Sequence, residues 1–307
     1  MIETIAVSDS GDPRIQSFRG VRDADLRGRD GLFCVESPRV LRRFLHAIAA
    51  ACAGAVQAPR VELHSVLATP EVLDDLAPQL DAAMHAAAMA PPIYSAPASL
   101  LCDLAGYRMH QGALALGRRP VTAGLDALVA ALSPTDDLLV TLGVVHTDNV
   151  GAAFRNAGSL GDCGILLAGG SSDPLHRKAI RVSSGRVFSV SWGVSENWER
   201  DLAALRERHG FALIAAEDAP ESIPLARLHE CDAVRRSVRA AIVLGAEGSG
   251  LSGAARALCD VVCAVPMREP GGLVEAGDRP SLNVAVASAL VLHGVRNARA
   301  HARTARL

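Results

Sequence analysis

Lysine is almost missing from this chain of 307 residues: Lys178 is the only one, so nearly all of the 31 basic residues are arginine. Arginine's planar fork of donors suits phosphate recognition, although the same bias follows from a GC-rich coding sequence. Aromatic residues make up only 3%, which argues against a single-strand binder built on base-stacking platforms. Excess charge is absent too, and a formal net charge of −2 carries no global nucleic-acid signal. The seven cysteines are odd in number and contain no CxxC pair, so neither a disulfide framework nor a zinc or other metal site is expected. Cys259 and Cys263 read as small core residues. The opening MIETIAVSDSGDPR lacks a basic region followed by an apolar run, so no signal peptide is expected. The apolar stretch 47–56 is too short to span a bilayer. A cytoplasmic chain without a membrane partner is expected.

What is present suits two α/β domains. Half of the residues are hydrophobic, and from Gly31 short β-rich runs alternate with amphipathic segments. GLFCVES reads as a strand, followed by a helix with Ser37 as N-cap and Pro38 in its first position. VELHSVLAT, IYSA and GALALGRR read as strands, with helices over 71–89 and ASLLCDLAG between them. This first domain is expected over 1–119, a linker over 120–136 and a second domain over 137–307. In the second domain LLVTLGVV, CGILLAGG, VFSVSW, FALIAAE, AAIVLGAE and VVCAVPM read as strands. PLHRKAIRVSSG and ENWERDLAALRERHG read as helices, and a long helix is expected from Ser281. Such alternation implies a mostly parallel sheet covered on both faces.

Three ordered segments stand out. TLGVVHTDNVGAAFRNAGSLG at 141–161 runs from an apolar strand through a polar loop into a helix carrying Asn149, Arg155 and Asn156. IVLGAEGSGLS at 242–252 puts three glycines and Glu247 directly after a strand. Glycines let backbone approach a ligand closely, and the spacing is not the GxGxxG of dinucleotide binders. AVPM at 264–267 is followed after a gap by SLNVAVASALVLH at 281–293.

Together these segments resemble the signature motifs of the SpoU/TrmH branch of the SPOUT RNA methyltransferases. That resemblance implies a C-terminal α/β domain with a deep trefoil knot, one of the rare exceptions to unknotted chains. It also implies methyl transfer from S-adenosyl-L-methionine to a ribose 2′-hydroxyl of tRNA or rRNA, and a homodimer. The N-terminal part resembles the family's small α/β substrate-binding domain, with FCVES and YRMHQGALAL (His110, Gln111 and Gly112) at its strand and closing turn.

By this resemblance Arg155 is the catalytic arginine, Asn149 positions substrate, Glu247 pairs with Arg155 or orients the loop, and Asn283 bonds substrate or loop backbone. Leu244, Gly245, Gly250, Val265, Met267, Ser281 and Leu282 are the expected cofactor-binding residues. Guanidinium stays protonated in proteins. Arg155 is therefore expected to hold a phosphate and lower the hydroxyl's pKa rather than accept its proton. Two arginine clusters are candidate phosphate contacts. One contains Arg177, Lys178 and Arg181; the other contains Arg14, Arg19, Arg22, Arg27 and Arg29.

The chain departs from the family pattern twice. His146-Thr147 stands where Asp-Pro is usual, and the thirteen residues 268–280 form a longer connection than the family's, read as a lip over the site. Two other functions stay open. A knotted RNA-binding or ribosome-assembly protein with weak or no catalysis fits the two departures. A nucleotide-dependent oxidoreductase fits the α/β pattern but lacks its glycine fingerprint.

Overall fold

The computed structural model describes residues 2–19, 27, 31–54, 61–106, 112–161, 163–267 and 281–304. The connection 268–280, His110, Gln111, Arg22 and Arg29 lie outside them. Chain contacts divide the molecule into two units, 1–122 with 173–189, and 123–172 with 190–307.

The first unit is built on a mixed sheet, β1 (Ile5–Ala6), β2 (Leu32–Glu36), β3 (Glu62–Ala68), β4 (Ile93–Ser95) and β5 (Ala113–Arg118), in the order β1-β4-β3-β5-β2. Alternation decides its two faces. Leu32 and Cys34 of β2 and Leu114 and Leu116 of β5 join Phe18, Leu100, Leu101 and Leu104 in one cluster. Phe33 points the other way and meets Phe44 of the Pro38–Cys52 helix edge-on, with ring centroids 5.5 Å apart. Phe188 completes this aromatic cluster, 4.8 Å from Phe44 and 5.7 Å from Phe33.

Phe188 belongs to a stretch that the strand–helix pattern had assigned to the second domain. The stretch 173–189 is further tied to the first unit by Asp173, which takes both amino groups of Arg119 at 3.1 and 2.7 Å. Its helix is limited to Arg177–Val182, and the run expected as one strand is a 3-10 turn, Arg186–Phe188, followed by a separate short strand.

The second unit carries β6 (Asp137–Leu142), β7 (Cys163–Ala168), β8 (Trp192–Val194), β9 (Phe211–Ala216), β10 (Ile223–Pro224), β11 (Arg239–Leu244) and β12 (Val261–Ala264). All are parallel, in the order β10-β12-β9-β11-β6-β7-β8. Leu138, Val140, Leu213 and Val243 face the Leu125–Ala130, Trp198–Glu207 and Gly253–Leu258 helices in one core. On the opposite face, the Thr147–Leu160 helix buries Val150, Phe154 and Ala157. Its neighbour, the Val284–Thr304 helix, buries Val291, Leu292, Val295 and Ala298. The long helix thus starts three residues later than expected, with Asn283 rather than Ser281 at its cap: Asn283 Oδ1 accepts from Ala285 N at 2.9 Å.

Two polar anchors seat these helices. Asn156 Nδ2 donates to Ala285 O at 2.7 Å and Ser288 Oγ at 2.9 Å, joining the two helices. Arg299, 8% exposed, pairs with buried Asp137 at the start of β6 and donates to Val238 O at 2.9 Å. The other Asp137 oxygen accepts from Ala240 N at 2.9 Å.

Candidate active site

Strand order reverses between β6 and β11: the chain runs outward from β6 to β7 and β8, then crosses to the other half of the sheet. In an open parallel sheet, ligands bind beyond the carboxyl ends of strands at such a switch point. Two of the three motif loops leave the sheet from these two strands. After β6, His146 is the N-cap of the Thr147–Leu160 helix, and its side chain makes no capping bond. The first turn of the helix therefore already includes Asn149. After β11 the 245–250 loop closes on itself, with Gly250 N donating to Ala246 O at 3.0 Å. A Cβ on Gly245 would overlap the Gly250 backbone, so this tight return excludes other residues there.

Across the crevice the motifs meet through hydrogen bonds. Asn149 Nδ2 donates to Glu247 Oε1 at 2.5 Å, and Asn283 Nδ2 donates to the same oxygen at 3.0 Å and to Asn149 Oδ1 at 2.9 Å. An ionised carboxylate only accepts, so Glu247 fixes the orientation of both amides. His146 Nε2 lies 3.4 Å from the other oxygen of Glu247. Within this chain Glu247 therefore orients the asparagines and faces His146. Arg155 is exposed on the helix and has no hydrogen bond or ion pair among the described residues.

Asn149→Asp tests this network. It sets a second carboxylate against Glu247, and a loss of about 2 kcal/mol in stability at neutral pH is expected. Urea titration would measure it.

Beside the network lies a pocket of about 610 Å³ at the ends of β9, β11 and β12. Leu244, Gly245, Gly250, Val265, Met267, Ser281 and Leu282 all line it, as do Glu247 and Asn283. So do Glu217 and Asp218, which sequence reasoning left without a role, and Cys263, which it read as a small core residue. A polar pair just beyond a strand that reads as fully apolar was the available signal for the two acids. Burial pushes the Cys263 thiol up to about 12, so it stays protonated and inert near neutrality. Burial likewise raises Glu217 above the usual glutamate range, against the lowering influence of its bond from Leu251 N.

The residues expected to contact RNA belong to the first unit. Arg177 is paired with Glu36 at 3.0 Å, while Arg181 is exposed and unpaired among the described residues. Lys178 has an interaction of its own. In the N-terminal cluster, Arg14 is held by Asp12, Arg19 by Gln16 and Ser10, and Arg27 lies 3.7 Å from Asp173.

Residues 137–293 match the model of the SpoU rRNA Methylase family. An uncharacterized tRNA/rRNA methyltransferase of Mycobacterium bovis, Mb0905, is 30% identical over 94% of this chain and 90% of its own length. The 23S rRNA (guanosine-2′-O-)-methyltransferase RlmB of Bordetella pertussis is 31% identical over 66% of this chain and 76% of its own. In fold, the chain is similar to an AdoMet-bound rRNA methyltransferase from Sinorhizobium meliloti, with a TM-score of 0.72 at 15% identity, covering 96% of this chain and 98% of that one. With its family match spanning the whole sheet and the site at its switch point, this chain belongs to the SpoU rRNA methylase family.

Proposed function

We propose that the protein transfers a methyl group from S-adenosylmethionine to a ribose 2′-hydroxyl of rRNA or tRNA, as a cytoplasmic homodimer whose catalytic domain carries the family's knot. The observation that carries this reading is the Asn149–Glu247–Asn283 network at the mouth of the pocket. It joins residues from all three motifs of a methyltransferase family at one crevice. The pocket has the size expected for a drug-sized ligand, within about 300–1,000 Å³. Leu244, Val265, Met267 and Leu282 offer apolar surface for a base, and the 245–250 loop offers backbone groups. When bound, the cofactor supplies an electrophilic methyl group.

The chain's residues do the rest. Arg155, exposed and unpaired among the described residues, grips a phosphate beside the target ribose. Its fixed charge stabilises the alkoxide that develops as the hydroxyl attacks. The Asn149 and Asn283 amides, locked by Glu247, keep the acceptor side rigid, which is what an in-line displacement requires. A dimer is supported by Val286 and Leu290, one turn apart on the long helix and 48% and 39% exposed. No helix among the described residues is long and apolar enough to cross a membrane.

Incubating the full chain with total RNA and labelled S-adenosylmethionine tests this reading. Label is expected at one nucleotide whose 3′ phosphodiester resists alkali, since 2′-O-methylation removes the attacking hydroxyl. Cofactor binding without transfer to any RNA would favour the RNA-binding or ribosome-assembly alternative.

RNA affinity should fall steeply with salt, because arginine–phosphate contacts release counterions. Each phosphate neutralised adds about 0.7–0.9 to the log–log slope. Filter binding between about 50 and 200 mM salt would measure it, and a flat response would point to base stacking or shape recognition.

A further inference from the structure

Glu217 follows β9 at the edge of the pocket, and its backbone N–H is tied to Cys263 O at 3.0 Å. One carboxylate oxygen, Oε2, accepts from Leu251 N at 3.1 Å and so holds the end of the glycine loop. The other, Oε1, has no donor among the described residues. It lies against Gly250, whose φ is +62° and where any Cβ would overlap the carboxylate.

The neighbouring groups do not complete it. Arg256, the cation that acts on it, is engaged by Glu221 Oε1 at 3.1 Å and Leu251 O at 2.8 Å. Among the described lining residues there is no arginine, lysine or histidine, whereas three carboxylates, Glu217, Asp218 and Glu247, are present. Glu247 is exposed, with Oε1 taken by two amides and Oε2 facing His146 at 3.4 Å, and Asp218 is exposed to water. Glu217 alone is half-buried with a spare acceptor at the pocket. Half-burial withdraws this carboxylate partly from water, which costs hydration that one backbone donor does not fully replace, and burial holds its pKa up accordingly. A bound ligand that brings a donor would offset that cost.

We propose that Glu217 is a cofactor-recognition residue, whose Oε1 accepts a hydrogen bond from a donor group of the bound S-adenosylmethionine. This rests on the cofactor named above. The donor chemistry is an O–H or N–H of the ligand, supplied by either its ribose diol or its amino-acid ammonium. Glu217 thereby does two jobs with two oxygens, setting the glycine loop with one and reading the ligand with the other.

Calorimetry on the full chain with S-adenosylmethionine and 5′-methylthioadenosine separates the possibilities, since the second ligand keeps the diol and lacks the amino-acid end. Glu217→Gln can still accept from Leu251 N through its amide oxygen, but then presents an NH2 donor to the ligand. Affinity for S-adenosylmethionine should fall about tenfold or more, the scale of a lost hydrogen bond to a charged group. Asp218→Asn, which removes the same charge from the neighbouring pocket wall, should cost clearly less affinity than Glu217→Gln does. Loss for both ligands assigns the diol, and loss for S-adenosylmethionine alone assigns the ammonium.

Unchanged S-adenosylmethionine affinity in Glu217→Gln overturns the proposal and leaves Glu217 as a loop strut. An equal loss in Asp218→Asn also overturns it, because general pocket charge would then be the cause. Wild-type protein that binds neither ligand would instead sink the cofactor reading itself. Melting of the ligand-free variants checks folding. If Glu217→Gln fails to fold, Glu217→Asp, which keeps the charge but withdraws the oxygens by one methylene, takes its place with the same expected loss.

Discussion

Arg155→Ala should lower methyl transfer by about 10²-fold or more, the scale seen when a group stabilising developing negative charge is removed. Affinity for S-adenosylmethionine should stay within a few-fold. The two expectations separate because Arg155 does not line the pocket and makes no bond to the residues that do. Truncating an exposed, unpaired side chain removes no internal contact, so the fold should be unaffected. Single-turnover assays with RNA, beside calorimetry with the cofactor, would read both quantities. A large loss of cofactor affinity together with activity would mean that Arg155 serves the donor side and that its assignment to phosphate and hydroxyl is wrong.

Arg299→Met should cost about 3–5 kcal/mol of stability, because it strands the Asp137 carboxylate, which is 2% exposed. In a chain of this size that corresponds to a fall of roughly 10 °C in apparent melting temperature. Asp137 would keep only its bond from Ala240 N, and the long helix would lose its tie to β6. Replacing both partners, Asp137→Leu with Arg299→Met, should recover part of the loss, since no buried charge then remains unpaired. Denaturant midpoints for the two variants check this. Equal midpoints for Arg299→Met and the wild type would mean that apolar packing of Val291, Leu292 and Val295 holds the helix without help.

Much of the site was legible because its motifs are local. A glycine-rich turn after an apolar strand, and an asparagine at each of two helix starts, are short-range patterns. The seven residues expected to bind cofactor lie around one pocket. Three of the four residues expected to do chemistry share one hydrogen-bond network, and the fourth, Arg155, stands apart on the helix surface. The partner of Glu247 was not legible. Asn149 and Asn283 are 134 positions apart, and only the fold makes them neighbours.

Glu217 and the stretch 173–189 were hidden for the same reason. Nothing within a few residues of Glu217 announces that Leu251 N and Gly250 will sit against it. Phe188 reads as part of a strand from its own neighbours, yet Phe33 and Phe44 recruit it into another core. Asn156 likewise finds its partners, Ala285 O and Ser288 Oγ, about 130 positions along the chain, only in the fold.

By itself, then, the sequence determined the α/β class, the parallel sheet, the family and the candidate residues, because period, strand hydrophobicity and turn chemistry are set by neighbours along the chain. Tertiary structure alone decided which of those residues touch, which unit claims 173–189, and which carboxylate oxygen remains open to a ligand. Such contacts depend on loop closure and burial across a hundred or more residues, and no local pattern encodes them.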